Sequence, residues 1–132
     1  MQTRNESING YMVDAIMSQD LTAGNKANAN MTFLYDHNLY GIEEISEIEF
    51  SIFIAEKNDI FSNTLSDPVS IETSEYGTYT QEYDRLGAVI YDDNDILIVS
   101  RGMRDGKNAL GPILSLYIEN NSDKTYIIQS RG

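Results

Sequence analysis

The amino-acid sequence predicts an all-β protein, an immunoglobulin-like antiparallel β-sandwich of about eight or nine strands with one short helix. Short runs of alternating apolar and polar residues recur along the chain, and turns rich in Gly, Asn, Asp and Ser separate them. Hydrophobic residues make up 41% and charged residues 23% of the 132 residues, as in a soluble globular protein. A chain of this length is expected to form one domain, residues 1–132, with a sizeable core.

The first predicted element is a β-hairpin. Residues 2–6 have strand character, and the pair Asn9 and Gly10 follows them. Both residues tolerate the positive φ of a type I′ turn, which makes this pair the strongest short hairpin signal in the chain. The next segment, 11–21, is moderately apolar, and four of its side chains are expected to enter the core: Met12, Ile16, Met17 and Leu21.

Residues 34–41 are the only segment that predicts a helix. Tyr35 and Leu39 are spaced four apart, and Gly41 can adopt the left-handed conformation that ends helices. The helix would be about two turns long. The residues before it, 26–33, are predicted to form a strand with polar side chains on its exposed side.

The clearest strand covers residues 45–55. Large apolar side chains alternate there with polar ones, which predicts a sheet with one face on the core and the other in water. The outward face is expected to carry Glu47, Glu49, Ser51 and Phe53. The predicted core face consists of Ile48, Phe50, Ile52 and Ile54.

The second half of the chain predicts further strands around a polar linker. Residues 69–73 alternate as a strand does, and the tyrosine-rich segment 74–87 is the best candidate for a bridge. Residues 88–91 and 96–100 flank the turn 92–95 and predict another hairpin.

The last twenty residues predict a final hairpin. Residues 113–119 alternate, with Leu114, Leu116 and Ile118 on one face, and residues 125–131 resume β character after a polar turn. On the opposite face lie Ser115, Tyr117 and Glu119.

The two ends of the chain share a short sequence. Gln-Thr-Arg at 2–4 recurs as Gln-Ser-Arg at 129–131, which suggests two copies of one strand position. Segments 1–73 and 88–132 would then be halves of a sandwich, bridged by residues 74–87. They can close on each other in one chain, or exchange with a second molecule; a domain-swapped or edge-paired homodimer is the favoured expectation.

Five segments carry a resemblance to a known family: 8–13 (INGYMV), 23–27 (AGNKA), 42–50 (IEEISEIEF), 91–98 (YDDNDILI) and 116–124 (LYIENNSDK). The chain resembles uncharacterised telokin-like, immunoglobulin-type domains that occur, often in tandem, in putative lipoproteins and cell-surface proteins of Gram-positive bacteria. Members usually begin near residues matching 89–93 and end near residues matching 69–73, so this chain looks circularly permuted or cut across two repeats. The resemblance implies an extracellular or cell-surface location, with a protein partner or neighbouring repeats, and no catalytic residues.

Composition excludes several function classes. A net charge of −12 disfavours nucleic acids and anionic membrane surfaces, since both need Lys and Arg. No apolar run is long enough to span a bilayer, and the N-terminus lacks the apolar region of a signal peptide. The absence of cysteine excludes disulfides, thiol catalysis and thiolate metal sites.

The residues that could support catalysis or metal binding form no complete motif. His37 is the only histidine and is expected to be an ordinary packing or surface residue. Glu43 and Glu44 are neighbours on the chain, so a strand would place them on opposite faces, unlike a glycosidase pair. The acidic turn 92–95 resembles the start of a calcium loop, but Ile96 occupies a ligand position, so a plain turn is favoured. We therefore predict no enzyme activity, no cofactor and no metal.

The remaining signal is a group of tyrosines in the segment 76–83. Tyr76, Tyr79 and Tyr83 could stack on a sugar or anchor a protein partner, but covering a sheet edge is the more common role of such residues. Two functions stay open. The first is a non-catalytic spacer or protein-binding module of a secreted or cell-surface protein; the alternative is a small ligand- or carbohydrate-binding domain that uses this segment.

Overall fold

The structure is a computed structural model that describes residues 1–106 and 111–130. The chain divides into two compact units, unit 1 (Met1–Tyr83) and unit 2 (Asp84–Gly132). The division falls inside the predicted bridge, and residues 74–83 belong to unit 1. The prediction of an all-β protein is confirmed, whereas the immunoglobulin-like sandwich stays a hypothesis.

Unit 1 is built mainly on one antiparallel sheet. Its elements are β1 (Gln2–Ile8), β2 (Tyr11–Met12), β3 (Asp14–Ile16), β4 (Thr32–Leu34), the helical turn α1 (His37–Tyr40), β5 (Glu47–Glu56), β6 (Asp59–Leu65) and β7 (Val69–Glu72). The sheet has the order β2-β1-β5-β6, and β7 also pairs with β5. Strands β3 and β4 form a separate two-stranded sheet.

The predicted first hairpin is confirmed. Ile8 pairs with Tyr11 across the turn, and Asn9 and Gly10 have φ angles of 50° and 82°, as a type I′ turn requires. Gly10 is also needed for space, because a Cβ there would lie 2.6 Å from the Tyr83 hydroxyl oxygen. The turn is therefore in close contact with Tyr83, the last residue of unit 1.

The core of unit 1 lies at one end of this sheet. Ile8, Val13 and Ile42 are buried together. Partly buried residues pack around them: Tyr11, Phe33, Tyr35, Tyr40, Ile45 and Ile48. The core thus combines the first hairpin, β4, the helical turn and the start of β5, which are distant in sequence.

The predicted inward position of Met12, Ile16 and Leu21 is wrong, because these side chains are 61–62% exposed. Val13 takes the inward position, and Met12 beside it faces outward, as alternation along an extended chain requires. Strands β2 and β3 are only two and three residues long.

The predicted core face of β5 is only partly correct. Ile48, Phe50 and Ile52 are half-buried, but Ile54 is 54% exposed, while Ser51 on the other face is only 4% exposed. β5 is ten residues long, and the core covers only the end near Ile48. Ser51 is small and lies in β5, which pairs with β1, β6 and β7.

The predicted helix over 34–41 is not formed. Leu34 ends β4, and only residues 37–40 make a single turn, closed by the N–H of Gly41 donating to the His37 carbonyl at 3.0 Å. One turn cannot propagate as a helix, because nucleation fixes several residues for one hydrogen bond. Gly41 does adopt the predicted positive φ, 59°. Of the predicted strand 26–33, only its last two residues are extended, in β4.

Unit 2 contains, within its described residues, one three-stranded sheet. The strands are β8 (Ala88–Asp92), β9 (Ile96–Arg104) and β10 (Ile113–Asn120), in the order β10-β9-β8. The predicted hairpin around residues 92–95 is confirmed by the antiparallel pairing of β8 with β9. The sequence also predicts a Gly-containing loop over residues 104–111, and residues 107–110 of that loop lie outside the described residues.

The predicted final hairpin is wrong for the residues that the structure describes. Residues 125–130 form no strand, and Arg131 lies outside the described part. The Asn120 side chain closes the turn by donating to the Lys124 carbonyl at 2.7 Å, and the Tyr126 hydroxyl donates to Asp95 at 3.3 Å. The segment is held by side chains instead of a backbone ladder with β10.

Burial is uneven on both sides of the unit 2 sheet: Ile96, opposite Asn120, is 7% exposed, whereas Val89, opposite Val99, is 61% exposed. Val99 and Tyr117 are 1% and 7% exposed, on the face where residues 84–87 pack. Gly87 touches Ser100 and Val99 so closely that no Cβ fits, and its φ of 143° favours glycine. Arg85 lies over the Tyr117 ring at 5.9 Å.

On the opposite side, Ile96 and Ile98 are buried and half-buried. Four further residues of that side are 37–67% exposed and are here named the aliphatic face: Met103, Leu114, Leu116 and Ile118.

Candidate functional site

The tyrosines singled out by the sequence lie in and after a compact turn that ends unit 1. The Tyr76 N–H donates to Thr73 and the Tyr79 N–H to Glu75, at 3.1 and 2.9 Å. Tyr76 is 49% exposed, whereas Tyr79 and Tyr83 are half-buried. Of the three tyrosines, Tyr76 is therefore exposed, and Tyr79 and Tyr83 are partly buried.

The hydroxyls of Tyr79 and Tyr83 are used within unit 1. Tyr83 donates to the Asn9 carbonyl, and Tyr79 accepts from the Glu43 N–H at 3.3 Å. Tyr79 also lies 3.4 Å from Gln81 Oε1. These contacts hold the segment against the first hairpin, and the role of the three tyrosines in ligand binding stays a prediction.

Asn9 is the polar centre of this region. Its side chain, in a residue only 6% exposed, donates to the Glu44 carbonyl at 2.7 Å and to Gln81 Oε1 at 3.0 Å. Its Oδ1 accepts from the Ser46 N–H and hydroxyl and from the Glu47 N–H, at 2.8–3.2 Å. One amide thereby joins three parts of the chain, which rigidifies the region. The sequence indicates Asn9 only as a turn residue, because its partners lie 35 and more positions away.

Tyrosine rings surround the same hairpin. The Tyr11 ring meets Tyr40 edge to face at 5.0 Å and Tyr83 at 4.9 Å, and Tyr35 meets Tyr40 at 6.0 Å. Such pairs add stability beyond their buried area. Burial raises the pKa of the Tyr40 hydroxyl, and the nearby Asp14 carboxylate raises it further. The hydroxyl therefore stays protonated at neutral pH.

The other candidate residues hold local structure. The His37 ring packs on Tyr35 at 4.9 Å. In the turn 92–95, Asp93 accepts from the Ile96 N–H at 2.7 Å and from the Tyr91 hydroxyl at 2.7 Å, and these bonds lower the pKa of Asp93. Over the described ranges 1–106 and 111–130, no group of three His, Cys, Asp or Glu side chains could hold a metal ion.

The aliphatic face is the second candidate surface, and the sequence does not identify it as one. Leu114 pairs with Met103, and Ile118 with Ile98, so apolar side chains of two strands share this face. Contiguous exposed apolar residues on a sheet face are one feature of protein interaction sites. No helix within the described part of the chain is long and apolar enough to cross a membrane.

Charge is divided unequally between the units. Unit 1 has 14 acidic and three basic residues in its sequence, whereas unit 2 has seven acidic and six basic residues. Two basic residues of unit 2 form ion pairs, Arg85 with Glu119 at 2.7 Å and Arg101 with Asp84 at 2.6 Å. The aliphatic face thus belongs to a nearly neutral unit, while unit 1 carries almost all of the net charge.

Comparison of the chain with protein families, with curated proteins and with solved structures finds no match.

Proposed function

We propose that this chain is a non-catalytic module of a secreted or cell-surface bacterial protein, a telokin-like, immunoglobulin-type sandwich that acts as a spacer or protein-binding domain. The observation that supports this proposal is the aliphatic face of unit 2. Leu114, Leu116 and Ile118 remain 50%, 37% and 42% exposed on an ordered strand. An exposed apolar surface on a regular strand suits a protein partner.

The arrangement of polar groups is consistent with a structural module. The Asn9 amide and the Tyr79 and Tyr83 hydroxyls are used to join segments of unit 1. Asp93 holds a hairpin turn by accepting backbone N–H groups. These groups stabilise strands and turns, and a binding module needs such stiffness to present its surface.

Binding by the aliphatic face can be tested with a single substitution. Leu116→Glu places a charge in the centre of this face, and Leu86→Glu makes the same change at a residue of unit 2 that is 80% exposed in the segment 84–87. The immobilised protein and both variants are incubated with a Gram-positive cell-envelope extract. Retained proteins are identified by mass spectrometry, purified and titrated against the chain.

The expected result is saturable binding of a purified partner that is weakened at least tenfold by Leu116→Glu and unchanged by Leu86→Glu. Equal binding by the two variants would disprove a role for this face. Circular dichroism of both variants verifies that they are folded.

Carbohydrate binding by the segment 76–83 is the second candidate function. It is favoured by one observation, the 49% exposure of the Tyr76 ring next to the turn at Gly77. Calorimetric titration with soluble oligosaccharides tests it: saturable heat that Tyr76→Ala abolishes would support this function. Binding that persists in Tyr76→Ala, or no binding at all, would refute it.

A further inference from the structure

Asn9 and Gly10 form a chemically reactive pair that the fold restrains. In an Asn-Gly sequence the glycine nitrogen can attack Cγ of the asparagine, because glycine has no side chain to hinder the approach. Asn9 is the only asparagine in the sequence that precedes a glycine. In the structure this residue is 6% exposed, and both polar atoms of its amide are hydrogen-bonded.

The amide nitrogen that would leave in this reaction is held by two acceptors. Nδ2 of Asn9 donates to the Glu44 carbonyl at 2.7 Å and to Gln81 Oε1 at 3.0 Å. On the other side of the amide, Oδ1 accepts from the Ser46 N–H at 2.8 Å. Cyclisation turns Cγ toward the Gly10 nitrogen and expels Nδ2, so these bonds have to break first. The folded chain is therefore protected while they last.

Part of this restraint comes from residues 79–83 at the end of unit 1, here named the closing segment. It lies in no strand or helix and is attached to the first hairpin through side chains. Gln81 accepts from the Asn9 amide, and the Tyr83 hydroxyl donates to the Asn9 carbonyl. The Tyr83 hydroxyl also lies next to Gly10, where a Cβ would be 2.6 Å from its oxygen. A segment attached in this way opens at a lower free-energy cost than a strand inside a sheet.

We propose that Asn9 is a modification site controlled by the closing segment: when residues 79–83 lift off, Asn9 deamidates through a cyclic imide, and the product hinders the return of the segment. The Gly10 nitrogen loses its proton to hydroxide, its electron pair forms the bond to Cγ, and Nδ2 takes up a proton from water and leaves as ammonia. Water then opens the imide at either carbonyl and leaves aspartate or isoaspartate at position 9. This inference concerns unit 1 and is independent of binding by the aliphatic face.

The product does not fit the site that held the amide. A carboxylate at position 9 has no hydrogen to donate, and it would place a charge at a nearly buried position against the Glu44 carbonyl and Gln81 Oε1. Isoaspartate also lengthens the main chain of a turn whose register joins Ile8 to Tyr11. Either product weakens the contact between the hairpin and the closing segment, so the change is not reversed when the segment returns.

Incubation of the full chain in mildly alkaline buffer, followed by tryptic digestion and mass spectrometry, measures the reaction. The tryptic peptide 5–26 contains Asn5 and Asn25 as internal references, because Glu and Lys follow them in place of glycine. Since the reaction requires opening, Asn9 should react at least about tenfold more slowly in the folded chain than in the urea-denatured chain.

Substitutions in the closing segment should speed the reaction of the folded chain. Tyr83→Phe removes the hydrogen bond to the Asn9 carbonyl and keeps the ring, and Gln81→Ala removes an acceptor of Nδ2. Each should raise the rate about fivefold or more, through the larger open population that loss of one hydrogen bond gives. Tyr76→Phe is the matched control, because it removes the hydroxyl of a 49% exposed tyrosine outside the closing segment, and it should leave the rate unchanged.

Three results would overturn the inference. The first is an equal rate for Asn9 in the folded and the denatured chain, and the second is an unchanged rate in both Tyr83→Phe and Gln81→Ala. The third is a rate that rises with low concentrations of urea as steeply as global unfolding does, since Asn9 would then react only from the unfolded chain.

Asn9→Asp reproduces one product directly and tests the effect on the closing segment. Cleavage by chymotrypsin after Tyr83 should be at least about fivefold faster than in the unsubstituted chain, because proteolysis follows the open population. Cleavage after Phe53 in β5 should stay slow. Unchanged cleavage after Tyr83 would refute the effect of the product, and fast cleavage at both sites would show that unit 1 unfolds as a whole.

Discussion

Unit 1 and unit 2 both contain antiparallel strands, but different kinds of segment pack on their sheets in the described part of the chain. The core of unit 1 places residues 33–45 against Ile8, which is fully buried. In unit 2 the segment 84–87 lies on the Val99 and Tyr117 face, and Ile96 on the other side of the sheet is also buried. The comparison teaches that alternation defines two faces of a strand, while the presence of a second layer decides which face is buried.

The two units also differ in how polar groups stabilise them. In unit 1 the buried Asn9 side chain connects segments that are far apart in sequence. In unit 2 the corresponding contacts are ion pairs near the surface, such as Arg85 with Glu119. Buried, fully satisfied networks contribute more to stability than exposed ion pairs, so substitutions should cost unit 1 more than unit 2.

The largest effect should come from the core of unit 1. Ile8→Ala removes a side chain with no exposed surface and is expected to lower the free energy of unfolding by about 2–5 kcal/mol. Leu114→Ala in unit 2, at a residue 50% exposed, should cost less than about 1 kcal/mol. Urea denaturation followed by circular dichroism measures both. Equal losses would contradict the difference between the units.

A smaller effect is expected from the polar centre of unit 1. Asn9→Ala removes the hydrogen bonds to Glu44, Ser46 and Gln81 and places alanine at a positive φ, so it should cost about 2–3 kcal/mol. Asn94→Ala is the matched control, because Asn94 also has a positive φ, 74°, but is exposed in a turn of unit 2. Thermal unfolding should show the larger loss of stability for Asn9→Ala. Similar losses in the two variants would indicate that Asn9 contributes only through the geometry of its turn.

The smallest effect concerns the ion pair of unit 2. The Arg85 hydrogen bond and, second, the Tyr117 hydroxyl lower the pKa of the Glu119 carboxyl. This pairing therefore stabilises the fold above the carboxyl's pKa in the unfolded chain, and the stabilisation is lost as pH falls through the lower folded pKa. Arg85→Ala should cost less than about 1 kcal/mol at neutral pH and raise the pKa of Glu119, as measured by NMR titration.

Lys57→Ala is the control for that titration, since Lys57 pairs with Asp20 at 3.3 Å in unit 1 with both side chains 82% exposed. It should leave the Glu119 titration unchanged. A pKa of Glu119 that does not move in Arg85→Ala would show that the Tyr117 hydroxyl, not Arg85, sets it.

Local sequence was sufficient to predict the turns and several strands. The Asn9 and Gly10 hairpin and the hairpin around residues 92–95 are confirmed, because their backbone conformations depend on the residues of the turn itself. The alternation of side chains in β5 and β10 is also confirmed, since successive side chains of any strand point to opposite sides. An all-β class follows from the number of such segments.

Tertiary structure decided the rest. Segments far away in the chain decide several features of the structure. They bury Val13 instead of Met12, leave Ile54 and the aliphatic face exposed, and supply the partners of Asn9. The same holds for residues 125–130, whose β-rich sequence forms no strand because strand formation requires a partner edge and not only propensity. By itself the sequence determined where the chain can turn and which side chains share a face. The structure determined which faces are covered, because covering a face needs a second layer.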